Sequence, residues 1–133
     1  MAKLALVCLR DGGPHRLQFL RDRMTGFLKG LRPDNLPGAP VTVNDDGNGV
    51  LLGVFDAAEP DAIQGCSAYA GWLAESKHEW SQPGTDAPEG TYAMLRTDAR
   101  RVELLEDYCG SRTLWYAQTH DIFVASTSQR AIP

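Results

Sequence analysis

The side chains able to do chemistry here are few. They are the thiols Cys8, Cys66 and Cys109, the imidazoles of His78 and His120, the Asp107 and Arg112 charges on either side of Gly110, and the rings of Trp72, Trp80, Trp115 and Tyr116. A thiol acts as nucleophile or metal ligand only as the thiolate. Cys66 with His78, and Cys109 with His120, lack the paired close spacing of a zinc site, so no metal site is expected. Cys8 lies inside an apolar run and reads as an inert buried thiol. Asp107 and Arg112 flank a glycine turn, where a charge-assisted contact that fixes the loop between two strands is favoured over a catalytic role. Trp115 and Tyr116 sit in a strand pattern and are expected to fill the core. Trp80 lies in a polar stretch and is expected to be exposed, which makes Trp72 and Trp80 the candidate peptide contacts. Gly12-Gly13 is too short to cradle a phosphate.

Composition narrows the classes of function. At 133 residues the chain is the size of one domain, and 43% hydrophobic with 23% charged residues is the balance of a globular protein with a real core. A net charge of -4 argues against a dedicated nucleic-acid binder, which needs a basic face. Three cysteines, an odd number at wide spacing, suit a reducing compartment, and a cytoplasmic location is expected. The opening apolar run ends at Arg10-Asp11, too short for a membrane span and without the apolar core and cleavage site of a signal peptide. No membrane or nucleic-acid partner is expected.

These groups must be positioned by an α+β framework. Residues 3–9 read as a buried strand, followed by a turn at Asp11-Gly12-Gly13-Pro14. Leu17, Leu20, Met24, Phe27, Leu28 and Leu31 recur at helical spacing, so an amphipathic helix is expected from Pro14 until just before Pro33. Its Arg16, Arg21, Arg23 and Lys29 are interleaved with Asp22 and read as a solvated face. A short strand around Val41–Val43, a Gly47-Asn48 hairpin turn and strands at 49–55 and 66–74 follow. Residues 75–89 read as turn-rich. Strands at 91–96, 101–106, 113–117 and 122–126, separated by turns, read as one antiparallel meander. The helix is expected to cover one face of the sheet.

The runs Glu89-Gly90-Thr91-Tyr92-Ala93, Asp107-Tyr108-Cys109-Gly110-Ser111-Arg112-Thr113-Leu114-Trp115-Tyr116-Ala117 and Phe123-Val124-Ala125-Ser126 resemble the amino-terminal domain of asparagine-synthetase-like proteins. Residues 89–133 carry the likeness well and 65–76 weakly, while 10–60 do not align. The ending Ala125-Ser126-Thr127-Ser128-Gln129-Arg130-Ala131-Ile132 further resembles the actinobacterial branch that closes macrolactam rings on lasso peptides. The resemblance implies a class II glutamine amidotransferase domain of the N-terminal-nucleophile type, an αββα sandwich of two stacked, mainly antiparallel sheets with flanking helix. It makes residues 1–133 one glutaminase-like domain cut short at its C-terminal end, either a fragment or a separately encoded short version. Gly90, Asp107, Gly110, Arg112, Leu114, Tyr116 and Ser126 are the matching motif positions, with structural roles expected. ATP and magnesium belong, on this resemblance, to a synthetase region outside the chain, and the partners are that synthetase domain or subunit and a precursor peptide.

The same resemblance predicts a lost activity. A glutaminase of this type attacks with a cysteine at the mature amino terminus, whereas this sequence opens Met1-Ala2. Where the family sets an Asn-Gly pair for its oxyanion hole, Ala70-Gly71-Trp72 retains only the glycine. Arg32-Pro33-Asp34 is a poor match to the Arg-Gly-Pro-Asp-like segment that grips glutamine. No catalytic residue is therefore expected, and the first reading is a non-catalytic domain supporting an amide-forming synthetase. The alternatives are a small cysteine-dependent amidohydrolase or glutamine amidotransferase, and a peptide-binding interaction module.

Overall fold

The computed structural model describes residues 2–10, 14–30, 40–57, 59–75 and 79–132. The fold is α+β: a five-stranded and a four-stranded sheet, each antiparallel, with one helix among the described residues. The first sheet runs in the order β2 (Val41–Asp45), β3 (Val50–Phe55), β1 (Lys3–Leu9), β9 (Ile122–Ser126), β8 (Trp115–Gln118). The second runs β4 (Ile63–Gln64), β5 (Ser67–Leu73), β6 (Gly90–Thr97), β7 (Val102–Glu106).

Strand β1 is apolar at nearly every position because both its faces are covered. Leu4 and Leu6 point into the layer between the sheets, where they pack with Leu52 and Val54 of β3 and with Ala68, Ala70 and Leu95 of the second sheet. Ala5, Val7 and Leu9 point the other way, toward Met24 and Leu28 of helix α1 (Pro14–Gly30). Burying a leucine in such a layer contributes about 1.5–3 kcal/mol. Gly53 sets the spacing of helix and sheet, since a Cβ there would lie 2.5 Å from Leu28 Cδ1 and 2.6 Å from Met24 Sδ.

The outer face of the second sheet is covered differently. Tyr69, Tyr92 and Met94 are buried there under Trp80, with Tyr69 and Trp80 edge to face at 5.0 Å between ring centroids. Trp80 belongs to a segment without helix or strand, and Arg96 pins that segment. Its guanidinium donates to Thr85 Oγ1 and Thr85 O at 3.1 and 3.0 Å and pairs with Glu103 Oε2 at 2.5 Å. The layers therefore run helix, sheet, sheet, loop.

Three expectations need correction. The last four strands are not one meander: β6–β7 close the second sheet while β8–β9 cross to the first. A two-residue strand at Ile63–Gln64 and the 3-10 turns at Pro60–Ala62 and Gln129–Ala131 carry no periodic signal and went unpredicted. The aromatic assignments reverse. Trp80 is 3% exposed, whereas Trp115 and Tyr116 are 41% and 66% exposed. Strand β8 is an edge strand, so a strand pattern there does not bring burial. Trp80 is surrounded by polar residues in sequence but faces the apolar side of β5 and β6. The turn at 11–13 lies outside the described residues apart from Pro14, where the helix begins.

Candidate functional site

A cleft of about 310 Å³ opens where the start of β1 approaches β5 and the loop between β7 and β8. Its floor holds Ala2 and Ala70, both buried, and their short side chains leave the space above them open. Lys3 from β1, Thr91 from β6, Thr127 just after β9, and Ser111, Arg112 and Thr113 from the loop line the rest. Among the described residues, two cationic side chains and no carboxylate line this cleft, on a chain whose net charge is -4.

Local chemistry shapes the loop. Gly110 adopts φ +59°, the left-handed turn that glycine tolerates without cost, and its N–H donates to Asp107 O at 2.9 Å. The Asp107 carboxylate accepts the Ser111 N–H at 2.8 Å and the Ser111 hydroxyl. These bonds, the hydroxyl first and the backbone N–H next, hold the Asp107 carboxyl below the usual carboxylate range. Glu106 Oε1 accepts from Leu114 N at 2.8 Å and closes the other end. In place of the expected Asp107–Arg112 contact, the Asp107 carboxylate is engaged by the N–H and hydroxyl of Ser111. The buried Nε of Arg112 has no hydrogen-bond partner among the described residues.

The remaining motif positions lie on strands β6, β8 and β9 and beside them. Ser126 Oγ donates to Leu4 O at 2.7 Å, tying β9 to β1 beneath the cleft, and accepts from Ser128 N at 3.0 Å. Thr127 Oγ1 accepts from Leu4 N at 3.0 Å, which holds its hydroxyl at the rim. Gly90 faces Leu73 across β5–β6, and a Cβ on it would come 2.2 Å from Trp72 O. Gly71 adopts φ +132°, and a Cβ on it would lie 2.0 Å from Thr91 O, so only glycine fits beside Ala70. Leu114 packs half-buried at the edge of the inter-sheet core. Tyr116 stacks on Phe123 at 6.2 Å on the surface, and Trp72 is 61% exposed.

The cysteines are not gathered at this cleft. Burial, with Asp46 nearby, pushes the Cys8 thiol up to about 12, and burial with Asp46 and Asp45 pushes Cys66 up to about 11. Both stay protonated near neutrality and are poor nucleophiles. Cys109 is exposed on the loop between β7 and β8. No cluster of three or more metal-ligating side chains occurs among the described residues. His78 and the Arg32-Pro33-Asp34 segment lie outside the described residues. No helix among the described residues is long and apolar enough to cross a membrane.

Sequence reasoning singled out Ala2, Ala70 and Arg112 separately but missed that they meet with Lys3, Thr91 and Thr127. Threonines at 91 and 127 carry no motif, and only the pairing of β1 with β9 brings Thr127 beside Leu4. No protein-family model, curated protein or solved structure matches the chain.

Proposed function

We propose that the chain is a non-catalytic, glutaminase-like domain of an ATP-dependent amide-forming synthetase, similar to those that form lasso-peptide macrolactams. The observation carrying this reading is the cleft at the start of β1, whose floor is Ala2 and Ala70. In a glutaminase of the N-terminal-nucleophile type this is the place for a thiol and for an oxyanion-stabilising side chain; the two alanines supply neither. The helix, sheet, sheet order of layers supports that type of sandwich, with the Trp80 segment standing where a second helical layer would lie. The amine in such a reaction comes from the peptide substrate, so ammonia from glutamine is not needed. ATP and magnesium would be held by the synthetase region, and this domain would contribute packing or shape to the substrate pocket.

The test has two arms. Intact mass after exposure to a glutamine-mimicking alkylator should reveal no rapid single-site labelling, and mixing with an asparagine-synthetase-like synthetase region should raise precursor-dependent AMP release. Stoichiometric labelling together with ammonia release from glutamine would instead establish the cysteine-dependent amidohydrolase. AMP release unchanged by the chain would overturn the supporting role.

A peptide-binding role is favoured by a separate observation, the exposed rings of Trp115 and Tyr116 on edge strand β8 and of Trp72 on β5. An extended peptide can add to such an edge through main-chain hydrogen bonds. Titration with candidate precursor peptides should then be weakened by Trp115→Ala, and no binding to any of them would remove this reading.

A further inference from the structure

We infer that the cleft above Ala2 and Ala70 binds a small oxyanion, a carboxylate or phosphate group, with Arg112 as its principal ligand. The inference rests on the composition of the cleft and holds whether or not the chain works beside a synthetase. At about 310 Å³ the space suits a small ligand. Among the described residues its charged side chains are Lys3 and Arg112, with no carboxylate in the lining.

The donors available to such a guest are those of Arg112, Lys3 and the cleft hydroxyls. The Arg112 Nε is buried without a hydrogen-bond partner among the described residues, so that end of the guanidinium is not satisfied by the protein. A guanidinium presents its donors as a planar fork matched to carboxylate and phosphate oxygens, which makes Arg112 a better principal ligand than Lys3. Around it the hydroxyls divide by what they can offer. The Ser111 proton is committed to Asp107, leaving that oxygen as an acceptor. Thr127 Oγ1 already accepts from Leu4 N, so its own proton is available for donation into the cleft. Thr91 and Thr113 add further hydroxyls at the rim. Asp107, a carboxylate of the same loop, is engaged by Ser111.

The probes are sodium phosphate and sodium acetate, titrated separately into the full chain at constant ionic strength made up with chloride, and followed by amide NMR shifts. Saturable shifts are expected at Lys3, Ser111, Arg112, Thr113 and Thr127, with binding weakened at least tenfold in Arg112→Gln and less in Lys3→Gln. Arg101→Gln, remote from the cleft, should leave binding unchanged. Saturation by phosphate at the lower concentration would assign a phosphoryl guest, and by acetate a carboxylate guest. Shifts that fail to saturate, or that are equal in wild type and in both folded cleft variants, would overturn the inference.

Discussion

Arg96 and Glu103 face each other across β6 and β7, and their 2.5 Å ion pair anchors a guanidinium that also holds Thr85 and so keeps Trp80 seated over Tyr69. One buried cation thus does for the second sheet what the helix does for the first.

Removing it should loosen the whole outer layer. Arg96→Ala leaves the backbone and hydroxyl acceptors of that segment unanswered and the partly exposed Glu103 without its partner, and should destabilise by about 1–3 kcal/mol. Urea unfolding gives the magnitude, and the near-ultraviolet circular dichroism of the Tyr69–Trp80 pair should collapse alongside it. A loss below about 1 kcal/mol, the usual value of a surface pair, would refute the clamp.

The thiols should divide by exposure. At about pH 8 a disulfide-exchange reagent should modify Cys109 rapidly, while Cys8 and Cys66 react only after denaturation. Fast modification of more than one thiol in the folded chain would contradict the raised values at Cys8 and Cys66.

Acid should weaken the loop at Asp107. Its folded carboxyl ionises below the ordinary range, so the stabilisation is present above the unfolded value of about 3.9 and is lost as pH falls through the lower folded value. Asp107→Asn should therefore unfold at lower urea than wild type at about pH 6, with the gap narrowing toward about pH 3. A gap independent of pH would mean that charge is irrelevant to the Ser111 bonds.

Core substitutions should grade with depth. Leu6→Ala, fully buried between the sheets, should cost about 2–5 kcal/mol, and Leu114→Ala, half-buried at the edge, about half as much. Equal losses in urea unfolding would place Leu114 in the core proper.

What could be read from the sequence followed periodicity. Strand β1, helix α1 and the β2–β3 hairpin were legible because apolar spacing and turn residues act locally. Helix α1 keeps Met24 and Leu28 on one face for this reason. The partition of β6–β7 from β8–β9 was hidden, since it depends on which distant strand each one meets. Burial of Trp80 and exposure of Trp115 were hidden for the same reason: neighbours in sequence said polar and apolar, while neighbours in space were the reverse. The cleft shared this fate. Ala70 and Arg112 carried motif signals, but the threonines that complete it sit on strands and loops joined only by the fold.

The hydrogen bond from Ser126 to Leu4 spans 122 residues of chain. Strand β1 leaves the ribosome well before β9, one of its two neighbours. Until β9 follows, one edge of β1 lacks its native partner, so the first sheet completes only after β9 has emerged. Contacts this distant in sequence make folding slow, and the waiting apolar strand is the segment a chaperone would shield from aggregation.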